Sequence, residues 1–460
     1  MSNGRTIGQR RKNLESMATG LEQLTLNSIR KILPDRAIEQ ACQEAGYRYR
    51  RRTLTPIVTV LHMILTAIWP EESFQAGWQV LWDHMVSRCP HARGQSPSSG
   101  SVAKARARLP LSLWKRLFAW LSQQAQQQAK AVADWRGHRV VLLDGTSVSM
   151  PDTPALQKAF GGSRGCHGRS RDPLARLVTL SLAKTMTVLS YAVGPYKKDE
   201  TVLAQPLLKD LQDGDLLIAD RHFAGAHFYA RYVGGGLEFL TRVHQRLKIS
   251  RLKPLWRNSR FDFVAEMPVG KAYQRQDPSL PKRIRVRLIR ATVMIRGRRS
   301  VIWLVTSLLD AKRYPAREIV ELYMWRWRIE TLFREVKIDL SADVLRSHTP
   351  SGVRKEIIAR LLAVNIVHLV ILEAAEQHQI DPVRISFAHA LRAIVMFAPA
   401  LAMAPAWQRR DIYQAMLTEI ADNTVPRRPG RNEPRAVRRE PKNYPSLRCT
   451  RKQWKLIYAA

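Results

Sequence analysis

Two short apolar runs, each closing on an aspartate, restrict the fold of this chain more than any other feature. Val140, Val141, Leu142 and Leu143 lead into Asp144, Gly145 and Thr146, and Leu216, Leu217, Ile218 and Ala219 lead into Asp220. Apolar runs of about four to eight residues suit strands buried on both faces. A charged residue straight after such a run marks where the strand leaves the core, and Gly145 predicts a tight turn there. Residues 174–183 and 187–193 read as two further strands after the loop 161–171, and 202–211 as a helix. The order is three strands, a helix and a strand.

The stretch 323–337 reads as a helix. At about 100° per residue, Tyr323, Arg326, Glu330, Arg334 and Lys337 fall inside one arc roughly 80° wide, because their spacings are three, four, four and three. Leu322, Trp325, Ile329, Leu332, Phe333 and Val336 form a second, apolar arc of the kind a helix buries. Spacing alone leaves two readings open: a functional face, or a solvated one in which Arg326 and Glu330 make an i,i+4 ion pair worth a few tenths of a kcal/mol.

The set Tyr323, Arg326, Glu330 and Lys337 resembles the Tyr-Arg-Glu-Lys signature of the DDE transposases of bacterial insertion sequences, specifically family four. Asp144-Gly145-Thr146 and Asp220-Arg221-His222-Phe223 resemble that family's first and second catalytic motifs, and Phe160-Gly161-Gly162 and Gly194-Pro195-Tyr196 match its intervening pattern. The N-terminal region resembles the family through Ile32-Leu33-Pro34-Asp35 and residues 105–109. The resemblance implies an α/β fold: an RNase H-like catalytic core interrupted by a mainly β insertion, with a helical N-terminal DNA-binding domain. In such a core the first strand is central and the strand after the helix lies beside it, so acids at both strand ends approach each other.

The resemblance also implies the chemistry. Asp144, Asp220 and Glu330 would be the catalytic, metal-holding acids, with Asp144 bridging two Mg2+ ions per active site and Mn2+ as a substitute. Hard divalent cations prefer carboxylate and water oxygens, and two ions roughly 3.5–4 Å apart can clamp the attacking and leaving oxygens of a phosphodiester. Tyr323, Arg326 and Lys337 would hold flanking phosphates by hydroxyl, fork and point charge, with Arg334 and Arg221 also on the DNA-binding face. Water would free a 3′-hydroxyl at the element end, and that hydroxyl would attack target DNA. The implied partners are double-stranded DNA, as terminal inverted repeats and target, and a second copy of the chain in a homodimer on DNA. Some relatives pass through a hairpin that requires a flipped base to be held by an aromatic ring; Trp303 is the candidate, beside its plainer reading as a sheet-packing tryptophan. The alternatives are a transposase-derived DNA-binding protein without catalysis and a metal-dependent nuclease without strand transfer.

Charge agrees with a polyanionic partner. Lys and Arg number 75 against 38 Asp and Glu, a formal charge of +37, and nucleic acid is the first choice for such a balance. A membrane is disfavoured: the longest apolar runs, 54–69 and 361–375, fall short of the ~20 residues needed to span one and carry His62, Asn365 and His368. They read as core helices. Residues 1–11 contain no apolar segment of the secretory type, which predicts a cytoplasmic protein. Cys42, Cys89, Cys166 and Cys449 are scattered and read as free thiols, and the adjacent Cys166 and His167 lack a matching second pair of ligands.

The predicted organisation is a helical N-terminal DNA-binding domain over 1–136, a first core segment over 137–240, a β insertion over 241–312, a second core segment over 313–404, and a basic C-terminal helical region and tail over 405–460. In the first, the basic helix 102–109 resembles a helix-turn-helix reader, with Lys104 and Arg106 as its DNA contacts; a phosphate-facing helix is the equal alternative. The 330 − 220 = 110 residues between Asp220 and Glu330 are too many for a simple connection. Residues 283–290, 291–296 and 300–306 have strand character, and the family's insertion carries DNA contacts. From Pro426, seven Arg and Lys residues between 427 and 442 alternate with Pro and Gly, which predicts a DNA-tracking tail.

Overall fold

Strand β1 (Val140–Ser149) is central because its first four residues are apolar and buried on both faces. The computed structural model describes residues 31–426, except 50–53, 70–77, 80–81, 83–95, 131–134, 163, 166–167, 170–171, 246, 296–297, 344 and 406. Strands β2 (Leu174–Leu182) and β3 (Val188–Pro195) follow as an antiparallel meander on one side of β1. On its other side β4 (Leu216–Ala219) runs parallel to β1, and β5 (Glu238–Arg242) parallel to β4. The order β3-β2-β1-β4-β5 fits an RNase H-like core.

The sheet does not end at β5. Strands β6 (Pro254–Ser259), β7 (Asp262–Pro268), β8 (Arg283–Ile295) and β9 (Arg298–Thr306) continue it to nine strands, in the order β3-β2-β1-β4-β5-β9-β8-β7-β6. Strand β9 joins antiparallel to β5, with Val305 opposite Thr241, and covers backbone groups that an edge strand would leave unpaired. The predicted division between residues 240 and 241 therefore falls inside β5. The alternating segment 283–290 and the described part of the next, 291–295, form one long strand, β8.

Period-two alternation splits the core between the two sheet faces. Val140, Leu142, Leu216 and Ile218 join the cluster formed with the helices, whereas Val141, Leu143, Leu217 and Ala219 join the cluster on the opposite face. The N-terminal helices α1 (Asp35–Glu44), α2 (Pro56–Ile68), α3 (Ser99–Arg108) and α4 (Leu111–Ala129) precede the sheet. Helix α5 (Pro154–Phe160) lies between β1 and β2. Between β3 and β4 comes α6 (Glu200–Ala204), which tightens into a 3-10 turn over Gln205–Asp210, where Pro206 supplies no N–H to an α-helical ladder. Helix α7 (Ala226–Gly234) makes the parallel crossover from β4 to β5, and α8 (Lys271–Gln276) links β7 to β8.

After the sheet come α9 (Ala316–Tyr323), α10 (Trp327–Arg334), α11 (Pro350–His378), α12 (Phe387–Met403) and α13 (Arg409–Asp422). Helix α11 packs against α2, α4, α12 and α13. It is the one described helix long and apolar enough to cross a membrane, and its most apolar window is 94% buried inside the protein. It outruns the short apolar run 361–375 because its polar residues are satisfied internally. Glu356 accepts from the backbone N–H of Arg346 and Ser347 and pairs with Arg360 at 2.9 Å. Asn365 exchanges hydrogen bonds of 2.7 and 2.9 Å with the backbone of Val188.

Cys42 is a buried free thiol, its pKa pushed up to about 11 chiefly by burial. Most of the predicted helix 73–86, part of the basic cluster 47–52, Cys89, Cys166, His167, Cys449 and the tail 427–460 lie outside the described residues.

Candidate active site

The parallel ladder between β1 and β4 ends at the pair Leu143 and Ala219. Asp144 and Asp220 are the next residues on each strand, and alternation puts both on the helix-packed face. Asp220 leaves its strand as expected: its Oδ1 accepts the N–H of His222 at 2.7 Å and caps the 3-10 turn Arg221–Phe223. Asp144 does not, because β1 runs on to Ser149, paired with β2 through Asp144–Thr179 and Gly145–Val178. The turn expected at Gly145 is absent; β2 supplies a partner beyond the end of β4. A Cβ at this glycine would stand 2.5 Å from Cδ of Glu200, so a larger residue there would have to displace that side chain.

Asp144 is mostly buried, and its carboxyl pKa is pushed up to about 7. Burial is the main cause; the charges of Asp220 and Glu200 add to it, against the N–H of Gly145 and the guanidinium of Arg326.

The stretch 323–337 is helical but not one α-helix. Helix α9 ends at Tyr323, Met324–Arg326 form a 3-10 turn, α10 follows, and Glu335–Asp339 form a π turn closed by the N–H of Leu340 on the carbonyl of Glu335 at 2.9 Å. A uniform 100° step therefore misstates the angles. Three residues per turn bring positions i and i+3 into line, which puts the Arg326 charge near enough to Tyr323 to act on its phenol. Burial first of all, with the charge of Asp220, raises the Tyr323 phenol to about 12. Arg326 donates from Nη2 to Oε1 of Glu330 at 3.0 Å, and its Nη1 lies 3.8 Å from Oδ2 of Asp144. It also stacks on the exposed Trp327 ring, 4.5 Å from the centroid. Burial disfavours the guanidinium charge, but Tyr323, Glu330 and Asp144 outweigh it and hold Arg326 firmly protonated.

Arg326 thus links a strand acid to the helix acid, and the side chain of Glu330 remains 45% exposed. Among the described residues, no three His, Cys, Asp or Glu side chains gather closely enough to enclose a metal ion in this arrangement. Glu335, the neighbouring acid, faces the other way: it is 4% exposed and its Oε2 meets Nε2 of His368 on α11 at 2.9 Å.

The remaining predicted DNA contacts scatter. Arg221 is exposed directly after Asp220, Arg334 is exposed but paired with Asp339 at 3.2 Å, and Lys337 is partly buried on the π turn. Trp303 is half-buried on β9, edge-on to Phe263 with centroids 6.0 Å apart. Lys104 and Arg106 do not share a face of α3, since two residues are about 200° apart on a helix. Lys104 is exposed, as is Arg108 one turn on. Arg106 turns inward toward Glu356 and Arg360, where burial lowers its pKa.

Sequence reasoning passed over several residues here. Arg242, at the end of β5, places its charge near Tyr323. Asp199 and Glu200, just after the Gly194-Pro195-Tyr196 motif, reach His222, two residues after Asp220, and Gly145, the residue after Asp144. The only local signal for them was a pair of acids at a helix start, which capping explains equally well.

A family model described as the transposase DDE domain matches residues 135–366. The chain belongs to the DDE transposases of insertion sequences. The transposase is 25% identical over 351 residues to the transposase InsG for insertion sequence element IS4 of Escherichia coli (strain K12), covering 75% of this chain and 78% of that one. It is 23% identical over 362 residues to the probable transposase for insertion sequence element IS5377 of Geobacillus stearothermophilus, covering 78% and 88%. Among solved structures, a cryo-EM piggyBac transposase synaptic complex with hairpin DNA aligns at TM-score 0.41 and 10% identity, over 86% of this chain and 85% of that one. The transposase is accordingly an enzyme that acts on DNA.

Proposed function

We propose that this transposase binds the ends of an insertion sequence, hydrolyses a strand there and joins the freed 3′-hydroxyl to target DNA, with Asp144, Asp220 and Glu330 as its metal-holding acids. The observation that carries the reading is the meeting of three elements: Asp144 and Asp220 follow the last ladder pair of adjacent parallel strands, and Arg326 reaches from Asp144 to Glu330.

The donor set fits a hard divalent cation. A carboxyl raised to about 7 by burial beside a second carboxylate is negative charge short of a counter-ion, and oxygen is the ligand Mg2+ or Mn2+ takes. Two such ions per site would activate water and neutralise charge growing on phosphorus. Asp144 and Asp220 would hold them, with Glu330 free to join once Arg326 is drawn to a DNA phosphate. Arg326 then has two duties: it balances the acids in the DNA-free chain and binds substrate as a fork. Tyr323 and Lys337 would hold neighbouring phosphates, and the exposed Arg221 another beside Asp220. Paired cutting of two element ends would use a homodimer on DNA.

The test is a strand-transfer assay with matched end DNA, target plasmid and Mg2+. Joined products support the proposal. Cleavage without joining would identify a nuclease, and end binding without either would identify a catalytically silent DNA-binding protein.

A further inference from the structure

Beyond Leu143 and Ala219 no ladder bond joins β1 to β4, so the sheet by itself does not set the spacing of the two aspartates that follow. The start of α6 reaches both. The carboxylate of Glu200 lies against Gly145, the residue after Asp144: a Cβ at that glycine would stand 2.5 Å from Cδ and 2.7 Å from Oε2. Arg176, opposite Ser147 on β2, keeps it there, with Nη1 donating to Oε1 at 2.5 Å. Arg176 is anchored in turn by the carbonyl of Tyr196 at 3.2 Å and by that ring, 4.9 Å from the guanidinium carbon. The neighbouring Asp199 caps α6 through the N–H of Thr201 at 2.8 Å, and its Oδ1 lies 3.3 Å from Nε2 of His222. The N–H of His222 is the group held by Asp220.

We propose that Asp199 and Glu200 are positioning residues, which grip the residue after Asp144 and the turn capped by Asp220 and so set the separation of the two acids. This rests on the reading of Asp144 and Asp220 as metal-holding acids. The clamp acts where the ladder stops, and catalytic groups must be held to about 0.5 Å to work. Its arms are unequal. Glu200 and Arg176 are 15% and 25% exposed, whereas Asp199 and His222 are 52% and 48% exposed, so the second contact is weakened by solvent.

The full chain decides this, with Mn2+ binding measured by calorimetry without DNA, alongside Mg2+-dependent end cleavage, end-DNA gel shift and melting temperature. Glu200→Ala is expected to weaken Mn2+ binding and slow cleavage by about tenfold or more, the size that partners of metal ligands carry, while end-DNA binding stays. Glu200→Gln, which keeps the shape and an acceptor for Arg176, restores most of both. A loss that Gln does not restore overturns positioning in favour of charge. His222→Ala, at a half-exposed contact, gives a smaller loss of the same kind and decides the matter alone if Glu200→Ala does not fold. Wild-type Mn2+ binding and cleavage in every folded variant of the pair reject the clamp. Asp144→Asn separates the two failures: if it too leaves Mn2+ binding intact, the metal reading itself is wrong, and if it abolishes binding while the clamp variants do not, only the clamp falls.

Discussion

The transposase holds two arginine–carboxylate arrangements of opposite character. At the root of the β insertion, Arg287 is fully buried and grips Asp262 with both fork nitrogens, at 2.7 and 2.6 Å, then donates again to the carbonyl of Tyr314 at 2.7 Å. At the candidate active site, Arg326 reaches Glu330 at 3.0 Å but stands 3.8 Å from Asp144, whose carboxyl is pushed up to about 7. The first arrangement satisfies its charges and fixes β7, β8 and the chain entering α9. The second leaves an acid poorly compensated, with a cation beside it that can be exchanged for another. Saturated buried charge serves the fold, and unsaturated charge at a cleft marks function.

Glu330→Gln should break the second arrangement with the largest effect. It keeps the shape but removes charge that a hard cation needs, so end cleavage and joining fall by about a thousandfold or more, a loss of several kcal/mol of charge stabilisation. Gel-shift binding to end DNA should survive; robust cleavage by this variant would remove Glu330 from the site. Asp262→Ala attacks the first arrangement and leaves Arg287 buried without its partner, at a cost of about 3–5 kcal/mol. Denaturant unfolding measures it, and a change below 1 kcal/mol (roughly the surface-pair range) would show that the pair does not hold the insertion in place.

A pH series sharpens the contrast. A carboxyl whose folded pKa is raised favours the protonated state on folding, so in EDTA Asp144 should cost stability as pH rises from its ordinary 3.8 through about 7. The rise corresponds to about 4 kcal/mol at most. Asp144→Asn should abolish cleavage yet melt higher than wild type above pH 7, and the gap should close as pH falls toward 4. An unchanged gap across the series would contradict the strained carboxylate.

Smaller effects test the edges of the comparison. Lys104→Ala, on the exposed face of α3, should weaken end-DNA binding by about tenfold if it makes one base or phosphate contact, whereas Arg106→Ala should first lower the melting temperature. Equal binding losses at unchanged stability would mean that Arg106 also reaches DNA. Glu335→Gln should retain most cleavage, since a Gln can still accept from His368, in contrast to the large loss expected for Glu330→Gln five positions away. Dependence of catalysis on Glu335 would overturn the assignment of the helix faces.

Much of this was legible locally. The apolar runs before Asp144 and Asp220 and the 3.6-residue period of the helix bearing Glu330 are short-range signals, and they named the strands and the helix, whereas the choice of Asp144, Asp220 and Glu330 as metal-holding acids came from the family resemblance of their motifs. Five residues at about 100° each also put Glu335 on a different face from Glu330, as observed, even though a 3-10 turn and a π turn interrupt the helix. The continuation of β1 past Gly145 was not legible, because it depends on a partner strand some 30 residues away in sequence, and neither was the inward turn of Arg106.

What the sequence determined alone was which segments are buried and which residue types can do the chemistry, because burial pattern and ligand chemistry belong to each segment by itself. The tertiary structure decided the rest. It joined the insertion to the edge of β5 to make one nine-stranded sheet, set Arg326 between Asp144 and Glu330, and brought Asp199 against His222 and Glu200 against Gly145. Each of these outcomes depends on groups far apart along the chain, whose approach is settled only when the whole sheet and its helices pack.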